Sequence, residues 1–180
     1  MLNNELLDLF VSRDSKQEEV KLTPPNYYKR YCDYYYELNL TQMAIENNAL
    51  ANIKKLKQNM EYVYDNEINR DSRYGTLIYD YITTMKHIIK MYKKSDDISK
   101  VRNANTSMRC ILEQTFKYCN NLPVDYPGHI HRIFYDRMKK YHPGPHANYN
   151  KYEFSIPMML DNILFGITEL NKVTKYSRIY

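Results

Sequence analysis

Glycine is scarce in this chain, and its scarcity excludes two large classes of nucleotide-dependent enzyme. The 180 residues contain 4 glycines, which stand far apart in the sequence. They form neither the phosphate loop G-x-x-x-x-G-K-S/T nor the dinucleotide-binding turn G-x-G-x-x-G. The chain therefore carries no P-loop NTPase and no conventional Rossmann domain of its own, and we expect it to work without a cofactor.

Cysteine and long apolar stretches are also sparse. The 3 cysteines are odd in number and lack C-x-x-C spacing, which argues against a disulfide framework and a structural zinc site. Nowhere do 18 apolar residues follow one another, and the N-terminal residues lack the basic start of a signal peptide. These features predict a cytoplasmic protein that does not span a membrane.

Tyrosine, by contrast, is abundant, and the chain has a small excess of positive charge. It contains 20 tyrosines and no tryptophan, so much of its aromatic surface carries a hydroxyl and can lie half-buried. The 26 Lys and Arg residues against 21 Asp and Glu give a net charge of +5. A mildly basic protein permits an acidic partner such as RNA without requiring one.

The start of the chain differs from the rest in its pattern. An amphipathic helix is predicted over Leu2–Phe10, and a polar stretch then leads to Thr23-Pro24-Pro25, where two prolines stop helix formation. We expect residues 1–25 to form an N-terminal helix and linker, and residues 26–180 to form a single helical domain.

Apolar residues recur at helical spacing through residues 26–180, with polar or Pro/Gly-rich breaks between the periodic segments. No segment of six residues alternates convincingly in the manner of a strand. The sequence therefore predicts an all-α fold, an irregular bundle of five to seven helices. The predicted helices cover residues 27–69, 78–92, 98–120, 129–141 and 156–173.

One part of the first long helix has the spacing of a short coiled-coil seam. Its apolar residues step by four and three positions, but too few heptads are present for a true coiled coil. A helix that faces the protein's own core is the favoured interpretation. The residues concerned are Ala49, Ile53, Leu56, Met60 and Val63.

The strongest local group of functional side chains lies in the segment SMRCILEQ. Arg109 and Glu113 are four residues apart and share a helix face, with Asn105 one turn earlier on the same face. The alternative to a functional role is an exposed ion pair between Arg109 and Glu113, although arginine before glutamate is the weaker order for such a pair.

A second group lies in the segment HPGPHANYN. His142 and His146 are held there in a Pro/Gly-rich turn, where imidazoles can be displayed for acid–base chemistry. A structural turn without function is one alternative. A metal site with the nearby His129 and His131 is another, but the prolines forbid the helix that would align a histidine pair.

These segments together resemble a known family. The stretches SRYGTLIYDYITTMKHIIKMY, NTSMRCILEQTFKYC and RMKKYHPGPHANYN are similar to the C-terminal helical region of bacterial anticodon nucleases of the PrrC and RloC type. That region belongs with the HEPN ribonucleases. Its Arg-x-x-x-Glu pair matches Arg109 and Glu113, its histidine matches His146 or His142, and Arg137 with His142 also fits the general HEPN spacing.

The resemblance covers about residues 72–176 and implies a metal-independent endoribonuclease, HEPN-like in fold, that leaves 2′,3′-cyclic phosphate ends. It implies tRNA as the substrate, a homodimer, and a role as the effector of a bacterial antiviral defence or toxin system. The implied catalytic residues are Arg109, Glu113, His146 and His142. Because the family's ATPase part is missing here, the resemblance also implies an ATPase partner in trans.

Several further side chains near these segments are candidates for binding RNA. Lysines could hold phosphates, and the tyrosines between them, Tyr141 included, could stack on unpaired bases. The alternative is a solvated face with half-buried tyrosines. The RNA-binding candidates are Asn105, Arg137, Lys139, Lys140, Tyr149 and Lys151.

A function of a different class fits the same sequence. The chain would then be a non-catalytic helical subunit of a defence complex, docked on an SMC-like or ABC-type ATPase. The spacing from Ala49 to Val63 and the small apolar helix Leu2–Phe10 are the features that favour it. A helical fold does not by itself secure a catalytic function.

Overall fold

The computed structural model of the protein describes residues 24–93, 97–141 and 155–174. The predicted helix Leu2–Phe10 lies outside these residues. Within the described ranges the protein is all-α, which confirms the predicted fold class, and no strand is present. The helices are α1 (Pro24–Asn66), α2 (Arg73–Lys93), α3 (Ile98–Cys119), α4 (Arg132–Met138) and α5 (Ile156–Val173), with a 3₁₀ turn at Lys139–Tyr141.

The chain divides into two compact units, Met1–Gln42 and Met43–Tyr180. Helix α1 begins at Pro24, within the proline pair that the sequence predicts as the end of the linker. Proline is well tolerated in the first turn of a helix, where its missing N–H would have no partner. The hydrophobic core described below lies in the second unit, and the predicted boundary at residue 25 stays a prediction.

The part of α1 with coiled-coil-like spacing faces this core. Ile53 and Met60 have no exposed surface, and the other three residues of the series are buried as well. Side chains on the flanks of α1 join it to α2. The rings of Tyr64 and Tyr79 pack at a tilt of 41°, with 5.8 Å between centroids, and Glu61 forms an ion pair with Lys86. The favoured interpretation, a core-facing helix, is therefore correct.

Local capping fixes both ends of α3. The Asp97 carboxylate accepts hydrogen bonds from the hydroxyl and backbone N–H of Ser99, and the pKa of Asp97 is lowered to about 2, mainly by the hydroxyl. At the other end Asn121 adopts a left-handed conformation with φ 55°. The N–H groups of Asn121 and Leu122 then bond back to the carbonyls of Tyr118 and Lys117, a Schellman motif that turns the chain away.

The centre of the bundle is a close approach of α2, α3 and α5. The hydroxyl of Tyr81 on α2 is hydrogen-bonded to the Thr115 hydroxyl on α3, at 2.6 Å, and both residues are fully buried. On α5, Gly166 faces this hydroxyl so closely that a Cβ there would lie under 3.0 Å from it. Burial raises the pKa of Tyr81 well above its usual value, so its hydroxyl stays protonated.

Helix α4 starts later than predicted, at Arg132 rather than at residue 129. The reason is local, because the His131 side chain takes the N-cap position and accepts a hydrogen bond from the N–H of Ile133.

No helix in the described part of the chain has the length and apolar character that crossing a bilayer requires.

Asn162 links α5 to α4 and to the 3₁₀ turn. Its amide donates to the Tyr141 hydroxyl at 2.7 Å and to the Met158 carbonyl, and its side-chain oxygen accepts from Arg137 at 2.9 Å. Burial raises the pKa of Tyr141 to about 12, so this hydroxyl is neutral at physiological pH. A buried amide thus joins α5 to α4 and the 3₁₀ turn that directly follows α4, across 21 to 25 positions of sequence.

Replacing Asn162 with alanine is expected to destabilise the protein by about 2–3 kcal/mol, because it leaves a buried hydroxyl and a guanidinium without their shared partner. Chemical denaturation followed by circular dichroism measures this change. Asp161→Ala is the matched control, since Asp161 is exposed and pairs with Arg137 at the surface, where an ion pair contributes about 0–1 kcal/mol. Equal stability losses in the two variants would contradict this account of Asn162.

Candidate functional site

The first candidate site lies on one face of α3. Asn105, Arg109 and Glu113 follow one another at four-residue intervals, so their side chains leave the helix on the same side. All three are half-buried. The apolar residues between them, Met108, Ile111 and Leu112, are buried in the core. The structure thus brings the three residues to one partly accessible face, as the sequence predicts.

Glu113 forms its ion pair with Lys117 and not with Arg109. Its carboxylate lies 2.8 Å from the ammonium of Lys117, one turn further along α3. Lys117 is 5% exposed, and its ammonium also donates to the Val124 carbonyl at 2.8 Å. Glu113 is therefore fixed by a buried cation and does not form the ion pair with Arg109.

The sequence itself contains a signal for the pair of Glu113 with Lys117. Glu113 precedes Lys117 by four residues, and glutamate before lysine is the favourable order for an ion pair on a helix. What the spacing does not reveal is the burial of Lys117. That burial depends on the Schellman turn after α3, which brings the Val124 carbonyl back over the helix.

Arg109 is left without an ion pair by this arrangement. Among the described residues, no carboxylate lies within ion-pair distance of its guanidinium, although Glu113 is one turn away. A half-buried guanidinium without an acidic partner retains its five N–H donors for an external anion. Phosphate oxygens match the planar fork of such a group.

Other candidates are engaged in local contacts. The Asn105 amide donates to the Val101 carbonyl at 2.9 Å, and Lys139 pairs with Asp136 at 2.8 Å. Lys140 is exposed. Tyr141 is 1% exposed, so its ring is not free to stack on a base, in contrast to the expectation for it.

Arg137 is held by contacts on three sides. Its guanidinium donates to Asp161 at 2.8 Å and to Asn162 at 2.9 Å, and it lies over the ring of Phe165, 4.1 Å from the centroid. This set of contacts explains how Arg137 attaches α4 to α5. Binding of RNA by Arg137 stays a prediction.

The remaining candidates lie outside the described residues. They are His142, His146, Tyr149 and Lys151. Their roles, and the distance of either histidine from Arg109, therefore stay predictions.

The structure contains a cleft next to α3 that the sequence motifs do not indicate. It has a volume of about 480 Å³ and contains two of the histidines that the sequence offered only as alternative metal ligands, His129 and His131. Within the described part of the chain, no three side chains of His, Cys, Asp or Glu are grouped to hold a metal ion. The signal that could have found the cleft is the pair of histidines close to Phe134 in the segment GHIHRIF, which leads into α4.

A second recess of about 480 Å³ opens between α2 and α3. Arg73 and Gln114 line it together with two carboxylates, Asp71 and Asp80. Burial raises the pKa of Asp80, and one terminal nitrogen of Arg73 is buried without a hydrogen-bond partner. The two acidic side chains make this recess less suitable for an RNA backbone than the face that carries Arg109.

Comparison with protein-family models, with curated proteins and with solved structures finds no match to this chain.

Proposed function

We propose that this protein is a metal-independent, HEPN-like endoribonuclease in which Arg109 binds the phosphate at which RNA is cut. The observation that supports the proposal most directly is the pairing on α3. Lys117 neutralises Glu113 at 2.8 Å, while Arg109, on the same half-buried face, has no acidic partner among the described residues. An arginine in this position can bind a phosphate without first breaking an ion pair.

The chemistry uses the RNA's own 2′-hydroxyl as the nucleophile. The 2′-oxygen attacks the adjacent phosphorus and loses its proton to a histidine, His142 or His146, while the bond from phosphorus to the 5′-oxygen breaks and that oxygen takes up a proton from water. The products are a 2′,3′-cyclic phosphate and a 5′-hydroxyl. Arg109 stabilises the negative charge that builds up on the phosphate oxygens, and Glu113, fixed by Lys117, shapes the site beside it.

The resemblance to anticodon nucleases supports tRNA as the substrate and the bacterial cytoplasm as the place of action. The protein would act there as the effector of an antiviral defence or toxin system. Since the chain has 4 glycines and no phosphate loop, ATP-dependent control of the nuclease comes from a partner protein. A homodimer, as in the resembling family, would complete the site.

The alternative function, an accessory subunit of an SMC-like or ABC-type ATPase complex, has lost one of its supporting features. The five apolar residues of the coiled-coil-like series, from Ala49 to Val63, are buried in this protein's own core and are not free to bind a partner helix. Elsewhere on α1, Met43 and Ile45 are exposed, and these side chains favour this alternative together with the predicted apolar helix Leu2–Phe10.

The proposal is tested by incubating the purified full chain with total bacterial tRNA in the presence of a chelator and resolving the products on a denaturing gel. We expect discrete fragments with cyclic phosphate ends. Cleavage should fall about 100-fold or more in His146→Ala or in His142→Ala, and the more severe of the two identifies the general base.

Lys55→Ala is the matched control, because it removes one exposed positive charge on α1, far along the chain from α3. It should cleave like the unaltered protein. If tRNA stays intact both with the protein alone and after addition of a P-loop ATPase identified as its partner by co-purification, the proposed function is wrong and the accessory role is favoured.

A further inference from the structure

The cleft beside the end of α3 has the size and lining of a ligand site. Its volume of about 480 Å³ lies within the range of small-molecule pockets, roughly 300–1,000 Å³. The end of α3, the segment before α4, α4 itself and α5 all contribute side chains to it. The lining residues are Phe116, Asn120, His129, His131, Ile133, Phe134, Phe165 and Glu169.

The apolar wall of the cleft consists of phenyl rings in a fixed arrangement. Phe134 packs edge-to-face against Phe116, with 5.5 Å between centroids, and against Phe165, with 5.0 Å. Phe116 and Phe134 are buried at the bottom, whereas Phe165 is half-buried. Rings held in this way offer a rigid surface for a flat aromatic ligand.

The polar lining provides both hydrogen-bond acceptors and donors. The amide nitrogen of Asn120 donates to the Phe116 carbonyl at 2.8 Å, which leaves the side-chain oxygen as an acceptor. Glu169 supplies a carboxylate, although it also pairs with Lys172 at 2.6 Å. The Nδ1 atom of His131 accepts a hydrogen bond from the Ile133 N–H. The ring's proton is then on Nε2, which can donate a hydrogen bond.

This combination suits the edge of a base with an exocyclic amine. Amine groups of adenine and cytosine donate to carboxylate and amide oxygens, and their ring nitrogens accept from an imidazole N–H. Uracil has no such amine. Proteins recognise single-stranded RNA by stacking unpaired bases on Phe and His rings and by hydrogen bonds to the base edges.

The position of the cleft connects it with the candidate catalytic residues. Phe116 follows Arg109 by seven residues and lies on the same face of α3, and Asn120, the C-cap residue, comes one turn further along. Seven residues correspond to about 10 Å along a helix axis. A strand bound at Arg109 therefore has a nearby nucleotide within reach of the cleft.

We propose that this cleft binds an unpaired, amine-bearing base, adenine or cytosine, of the RNA strand that Arg109 holds for cleavage. The inference deepens the proposed function and rests on it. Two cations adjoin lining residues and fit the charge of such a strand: Arg132 stands between His131 and Ile133 in the sequence, and Lys172 pairs with Glu169. Arg132, with a side chain 90% exposed, and Lys172, 61% exposed, form only surface ion pairs, which a phosphate can replace at little cost.

The test measures binding separately from cleavage. The probe is a heptaadenylate methylated at every 2′-oxygen, which cannot be cut because its nucleophile is blocked, and isothermal titration calorimetry gives its affinity for the full chain. We expect a heptauridylate with the same methylation to bind at least fivefold more weakly, since it lacks the exocyclic amine.

Two substitutions remove the imidazoles without removing the helix cap. In His129→Ala combined with His131→Asn, the asparagine can still accept the Ile133 N–H at the start of α4. We expect this variant to bind the adenylate probe about tenfold more weakly. Tyr135→Ala is the control, because Tyr135 is exposed on α4 and does not line the cleft. It should bind like the unaltered protein.

The outcomes separate this inference from the proposed function. If the histidine variant binds the probe as tightly as the unaltered protein, or uridylate binds as tightly as adenylate, the cleft assignment is wrong even when tRNA is cleaved. If both binding differences are found while no tRNA is cleaved, the cleft binds amine-bearing bases and the nuclease proposal alone fails. Binding of neither oligonucleotide by the unaltered protein also overturns the assignment.

Discussion

Replacing Arg109 with alanine is expected to lower the rate of tRNA cleavage about 100- to 1,000-fold, the range observed when one charge-stabilising donor is removed from an active site. The effect should fall on the turnover of bound RNA, because the guanidinium is needed most when negative charge accumulates on the phosphate. Single-turnover rates with excess protein measure it directly. Arg109→Lys should recover part of the rate, since lysine restores the charge without the planar fork.

Stability and surface charge provide the controls for this variant. Arg109 is half-buried and forms no ion pair with the described residues, so its alanine variant should unfold at nearly the same denaturant concentration as the unaltered protein. Lys55→Ala removes the same charge elsewhere and should keep full activity. If Arg109→Ala cleaves tRNA within about threefold of the rate of the unaltered protein, Arg109 takes no part in the reaction, because an active-site donor contributes far more than this.

Gly166→Ala is expected to be among the most destabilising single substitutions in the protein. The added Cβ would lie under 3.0 Å from the Tyr81 hydroxyl, which is fully buried and bonded to Thr115. Overpacking costs about 1–3 kcal/mol and an unpaired buried hydroxyl a similar amount, against about 1 kcal/mol gained from the helix preference of alanine. We expect a net loss of about 2–3 kcal/mol.

Thermal unfolding followed by circular dichroism should show this loss as a decrease in Tm of about 5–10 °C. The control repeats Gly166→Ala in the Tyr81→Phe background, where the clashing oxygen is gone and the nearest ring carbon, Cζ, is 3.1 Å from the added Cβ. There the same substitution should cost less than half as much. Equal costs in the two backgrounds would show that the contact with the Tyr81 hydroxyl is not the cause.

The parts of the fold that follow from local pattern could be predicted from the sequence. Helices α2, α3 and α5 lie where apolar residues recur at helical spacing, and the seam of α1 faces the core. The Arg109–Glu113 face also follows from four-residue spacing alone. Two helix starts were misplaced. Helix α2 begins at Arg73, five residues before the predicted start, because the Ser72 hydroxyl accepts a hydrogen bond from the Gly75 N–H in its first turn. The start of α4 depends on a histidine acting as the N-cap, which composition does not favour.

Contacts between distant residues could not be read in this way. Arg137 reaches Asp161 and Asn162, and Tyr81 reaches Thr115, across 24 to 34 positions of sequence. Which side chains meet over such separations depends on how the helices cross, and one sequence does not record that. The cleft could not be predicted either, because its walls come from three helices, α3, α4 and α5.

The central claim is that RNA is cut by its own 2′-hydroxyl at the face of α3 that carries Arg109. The most direct measurement compares a tRNA transcript with a copy of the same sequence methylated at every 2′-oxygen, each incubated with the full chain and a chelator. The proposed mechanism predicts that the transcript is cut to fragments ending in a 2′,3′-cyclic phosphate and that the methylated copy stays whole. Cleavage of the methylated copy, or fragments of the transcript that end in a 3′-hydroxyl, would contradict it.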